Sequence, residues 1–171
     1  ADPVPVPVAN GHELTIATFN MQRLYDDVDD ASVPANEEPV VTPAGFAHRL
    51  GKLSAAVRTS LRMPDIIGVV EVENVATLQR LADRINTDAG TDNPEYGACL
   101  IDGPGFGRLD VGFLYKQRRV AGAGSPRRVD LPACTAELTS ETHIDPRDGS
   151  VDLVYDRPPL RLSATVHDSS G

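Results

Sequence analysis

Positive charge is scarce in this sequence of 171 residues, where 16 Lys and Arg stand against 25 Asp and Glu, a net charge of −9. That balance argues against a general basic groove for nucleic acid. It leaves room for an enzyme acting on phosphates, because one bound metal ion and a few placed Arg reverse the sign locally. Long hydrophobic runs are missing too, so nothing reads as a membrane span. With 40% hydrophobic and 24% charged residues the composition is globular, and the length suits one domain. Cysteine is limited to Cys99 and Cys134, compatible with one disulfide in an exported protein or with two free thiols. No internal repeat is visible. No glycine-rich turn joins a strand to a helix; Gly103, Gly105 and Gly107 lead into a strand, which excludes a dinucleotide loop.

What is present centres on one run, Pro64-Asp65-Ile66-Ile67-Gly68-Val69-Val70-Glu71-Val72-Glu73-Asn74. It reads as a buried strand that ends by pushing carboxylates out at its carboxyl edge. Two acids at such an exit repel unless something positive sits there. A divalent cation is the usual answer in an open α/β sheet, whose ligands bind outside the carboxyl ends of strands; a loop of solvated acids is the plainer alternative.

The rest of the chain falls into order around this run. Residues 1–13 alternate Pro and Val, favouring an extended, semi-rigid linker with a segment once preceding it. Leu14 to Asn20 reads as a strand covered on both faces and ending at Asn20. Tyr25-Asp26-Asp27-Val28-Asp29-Asp30 reads as a solvated loop, lacking the Gly and closing Glu of a calcium hand. Thr42-Pro43 opens a helix carrying Phe46, Leu50, Leu53, Val57 and Leu61, and Pro64 closes it. Asn74 caps a second helix with Val75, Leu78, Leu81 and Ile85 on one face, ending near Gly90. Residues 96–102 and 109–116 form a hairpin, so the sheet is mixed. Weak strand signals lie at 129–131 and 151–155, and 160–166 is an alternating strand.

Four runs in order, Thr18-Phe19-Asn20, Pro64-Asp65-Ile66-Ile67-Gly68 running into Glu71-Val72-Glu73-Asn74, Asp110-Val111-Gly112-Phe113-Leu114-Tyr115, and Asp156-Arg157-Pro158-Pro159-Leu160, resemble the endonuclease/exonuclease/phosphatase superfamily of pancreatic deoxyribonuclease. The resemblance covers residues 13–168 and is nearest to exported bacterial nuclease-like members. It implies a four-layer αββα sandwich and metal-assisted hydrolysis of phosphodiester bonds in DNA or RNA, in a secreted or periplasmic protein. It assigns Asn20 and Glu71 to the metal, with Glu73 a rival ligand because strand side chains repeat every second residue. Such donors suit Mg²⁺ or Mn²⁺, with Ca²⁺ a further candidate. Arg157 falls where relatives contact a substrate phosphate; a surface ion pair with Asp156 is the plain alternative. Arg108 and Asp110 match more loosely.

The family's downstream His strand, Gly-Asp-x-Asn and Ser-Asp-His motifs are not found. His12, His48, His143 and His167 sit in other contexts and read as surface residues. The chain is therefore expected to be the amino-terminal half of a nuclease domain, inactive and poorly stable without its other half. A phosphomonoesterase or lipid phosphodiesterase of the same fold, or a non-catalytic binding module, are the alternatives.

Overall fold

The computed structural model describes residues 4–10, 13–30, 33–34, 39–103, 109–117, 128–155 and 157–167. Two helices form where the sequence caps them. The Thr42 hydroxyl accepts the Gly45 N–H at 3.1 Å and starts α1 (Pro43–Ala55), which runs on into a π-helical turn, Ala56–Ser60. Asn74 Oδ1 accepts the Thr77 N–H at 2.8 Å and starts α2 (Val75–Ala89); Gly90, at φ +59, ends it. Phe46, Leu50 and Val57 are buried on the first helical stretch, and Leu78, Leu81 and Ile85 on the second. Each such side chain contributes about 1.5–3 kcal/mol on burial, well above any propensity effect, so packing holds these helices. Val75, expected on the same stripe, stays exposed at the first helical position.

The helices cover one face of a four-stranded sheet: β1 (Ile16–Leu24), β2 (Ile66–Val72), β3 (Tyr96–Leu100) and β4 (Asp110–Lys116), in the order β1-β2-β4-β3. β1 and β2 run parallel; β4 is antiparallel to β2 and β3, so the sheet is mixed. Gly112 lets α2 come down on β4. A Cβ there would stand 2.8 Å from the Cys99 carbonyl oxygen and 2.9 Å from Leu78 Cδ2.

A second sheet, β5 (Arg128–Ala136) antiparallel to β8 (Leu160–His167), lies on the opposite face. Leu160, Leu162, Ala164 and Val166 pack there with Ile66, Phe113 and Tyr115. A disulfide joins Cys99 on β3 to Cys134 on β5, which resolves the cysteine alternatives. Two short strands, β6 (Thr142–Ile144) and β7 (Val151–Leu153), pair as a small exposed hairpin. The architecture is thus α+β, with helices, a mixed sheet and a two-stranded sheet in successive layers. Among the described residues no helix is long and apolar enough to cross a membrane.

Three expectations change. β1 is not covered on both faces: the second sheet packs on β2, β3 and β4, leaving Ile16 66% exposed and Thr18 and Asn20 open. Nor does β1 stop at Asn20, since its pairing with β2 resumes at Leu24. The Pro-Val segment has no regular secondary structure yet rests on the domain. The Val6 N–H donates to the Ser60 carbonyl at 2.9 Å, and Arg62 Nε donates to the Val6 carbonyl at 2.8 Å.

Candidate functional site at the carboxyl edge of the mixed sheet

Because β1 and β2 are parallel, their carboxyl tips lie side by side, with Asn20 paired to Val70. The ladder then breaks on both sides of β2. Pairing shifts between Asn20 and Leu24 on β1, and between Val70 and Val72 against β4. Glu71 sits in this irregularity at φ +62, and Gln22 and Arg23 across from it at +53 and +60. A left-handed conformation costs a residue bearing a side chain about 1–2 kcal/mol. Three together are held by a local network. Asn20 Nδ2 donates to Glu71 Oε1 at 2.9 Å, the Arg23 N–H to Glu71 Oε2 at 3.1 Å, and the Gln22 N–H to Asn20 Oδ1 at 2.6 Å. Arg49 on α1 donates from Nη2 to the Met21 carbonyl at 2.9 Å and to the Gln22 carbonyl, pinning the loop from the helix side.

Glu73 does not share this exposed position. It is 4% exposed, and its Oε2 accepts the Asp26 N–H at 2.7 Å and, less closely, the Thr77 hydroxyl at 3.3 Å. Alternation fails because the backbone turns left-handed at Glu71 and β2 ends at Val72. Asp26, read as part of a solvated loop, is also buried. Its Oδ1 accepts the Val28 N–H at 2.7 Å and its Oδ2 the Thr77 hydroxyl at 2.9 Å. Arg80, lying over the Phe46 ring at 4.2 Å, pairs with Asp26 and hydrogen-bonds Asp27, holding the Asp27 carboxyl below its usual range.

Arg157 is exposed and donates from Nε to the Leu109 carbonyl. The link between Arg157 and the strained edge is Tyr25, which sequence reading passed over as the start of an acidic loop. Burial raises its phenol above the usual range; Arg23 opposes that, Glu73 adds to it, Arg157 opposes it and Glu71 adds to it. One hydroxyl thus feels both candidate groups at once. Asp110 is buried, and its Oδ1 accepts the Gly103 N–H at 3.0 Å. His143 is exposed on β6, and His167 ends β8. His12, Arg108 and Asp156 lie outside the described residues.

Two hollows flank Asn20. One, about 330 Å³, lies between the open faces of β1, β2 and β4 and is closed by Leu160 of β8. The other, about 490 Å³, runs between β1 and α1 and is lined by His48, Arg49 and Lys52. His48 therefore adjoins the site, which its place on a polar helix face did not reveal.

Among the described residues no group of three or more His, Cys, Asp or Glu could hold a metal ion, so there is no all-protein cage. What is present is a carboxylate and an amide oxygen, each accepting one N–H and retaining a second lone pair. That donor set fits Mg²⁺, which takes one or two carboxylates and completes its shell with water and substrate phosphates. No family model, no curated protein and no solved structure matches this chain.

Proposed function

We propose that this chain forms the metal-binding edge of a hydrolase that cleaves phosphodiester bonds in nucleic acid, built on the four-layer sandwich of the deoxyribonuclease-like type. The observation that carries this reading is the strained junction of β1 and β2. There Gln22, Arg23 and Glu71 all adopt left-handed backbone while Asn20 and Glu71 meet at 2.9 Å. Strain of this kind persists only where the surroundings enforce it, and it gathers at functional sites.

Mg²⁺ or Mn²⁺ held by Glu71 and Asn20 would supply Lewis-acid polarisation of a phosphoryl oxygen. The chain's own residues prepare the position. Asn20 and the Arg23 N–H fix both oxygens of Glu71, and the Gln22 N–H steadies the amide oxygen of Asn20. Arg157, anchored through Nε, offers its terminal nitrogens to a phosphate. The water-activating Asp and the supporting His belong to motifs that this sequence lacks, so the chain alone binds metal without turnover. The open face at Ile16 and Val70, beside β8, which pairs only with β5 among the described residues, supports a larger second sheet in the complete domain. The disulfide supports an exported protein. The acidic balance favours a small or lipid-linked phosphate ester as the second reading.

Titration with Mn²⁺, followed by the electron paramagnetic resonance of the free ion, tests the centre. One site is expected, weakened at least tenfold by Glu71→Gln and by Asn20→Ala. Equal uptake by the wild type and Glu71→Gln would overturn the reading. Supercoiled plasmid with Mg²⁺ should survive incubation with the chain, and efficient nicking would refute the claim that it is inactive alone.

A further inference from the structure

We propose that the groove between β1 and α1 is a subsite for the phosphate backbone of a single nucleic-acid strand leading away from Asn20, an inference that rests on the hydrolase reading above. β1 is an edge strand, hydrogen-bonded only to β2, and α1 lies along its other side. The space between them, about 490 Å³, begins at Asn20 and Gln22 on the strand and passes His48, Arg49 and Lys52 on the helix. No acidic residue lines it, although acids outnumber Lys and Arg by 25 to 16 in the chain.

The three nitrogen-bearing side chains are arranged for a polyanion. His48 and Lys52 are exposed and one helical turn apart, about 5–6 Å between Cβ atoms, close to the separation of successive phosphates along a strand. Arg49 is fixed by its Nη2 bonds to the Met21 and Gln22 carbonyls, so its position is set before a ligand arrives. Phe19 and Leu53 give the groove an apolar floor for a sugar or base. A cationic track beside an aromatic surface is how proteins hold single strands without reading sequence. The net charge of −9 does not prevent this, because charges farther than about 8–10 Å are screened at physiological salt while these side chains touch the strand.

Fluorescence anisotropy of a labelled twelve-residue oligothymidylate, measured in EDTA from 25 to 200 mM NaCl, tests the groove without metal. The His48→Gln/Lys52→Gln double variant should bind at least tenfold more weakly at low salt. The slope of log affinity against log salt should fall by about 1, since each neutralised phosphate of a single strand contributes about 0.7. His48→Gln/Lys52→Arg should restore most of the affinity, and matching thermal melts would show that both variants fold. Unchanged binding by the double variant, or no binding by the wild type at 25 mM NaCl, would overturn the proposal. Mn²⁺ uptake through Glu71 without oligonucleotide binding would reject the groove and leave the metal reading. Oligonucleotide binding that depends on Lys52, without Mn²⁺ uptake, would retain the groove as a binding site and reject the hydrolase reading.

Discussion

The two ends of β2 each carry an acid, and the protein treats them in opposite ways. Asp65, just before the strand, is fully buried. Its Oδ2 accepts the Thr15 N–H at 2.8 Å and the Thr15 hydroxyl at 2.7 Å, and Lys116 Nζ stands 3.6 Å from its Oδ1. Glu71, six residues on, is half-buried on left-handed backbone and held by neutral N–H groups. The first acid is compensated by a cation inside the protein; the second is oriented but not compensated. Removing a partner at the amino end leaves a buried charge exposed to a medium that cannot solvate it. Removing Glu71 relieves strain and leaves the fold in place.

The largest expected effect breaks the compensated end. Lys116→Met should lower stability by about 3–5 kcal/mol in urea unfolding, because Asp65 would stay buried without its cation. A loss below 1 kcal/mol would show that the ion pair is not what that end depends on.

Next comes a pH effect. Burial, opposed by Asp65, brings the Lys116 ammonium below its ordinary value of 10.5. Between that lowered value and 10.5 the unfolded chain holds more protons than the folded one. Stability from this group therefore rises with pH across that window, by at most about 1.4 kcal/mol per pH unit, and is flat on either side. The stability difference between wild type and Lys116→Met should grow across the window. A difference that shrinks as pH rises would reverse the sign.

Thr15→Val should cost about 1–2 kcal/mol, since it removes the hydroxyl that donates to Asp65 Oδ2 and accepts the Asp65 N–H at 2.9 Å. The smallest effect belongs to the uncompensated end. Glu71→Gly should leave stability within about 1 kcal/mol of wild type, relief of the left-handed strain offsetting the flexibility that glycine adds to the unfolded chain. The same variant should lose Mn²⁺ uptake. A loss of 3 kcal/mol or more would make Glu71 structural and erase the contrast.

Much of this was readable before any coordinates. Thr42 and Asn74 announce their helices because a cap is a local event, and the spacing of Leu78, Leu81 and Ile85 marks the buried face. Asn20 and Glu71 could be paired because parallel strands set their tips together. Glu73 could not be placed, since period-two alternation assumes extended backbone and no local signal shows that Glu71 leaves it. Tyr25 and His48 escaped for another reason. Their relevance depends on Arg157 and Asn20, which approach them only through the tertiary fold. β6, three exposed residues long, carries no apolar pattern from which it could have been read.

The bridge from Cys99 to Cys134 closes a chain segment of 35 residues and fastens the outer sheet to the rim of the inner one. Such a covalent stitch contributes about 2–4 kcal/mol. In a reducing compartment the outer layer would cling only by the patch of Ile66, Phe113 and Tyr115 beneath it. The durability of the whole assembly is therefore tied to the redox state of its surroundings, a constraint that no feature of the strained edge itself would reveal.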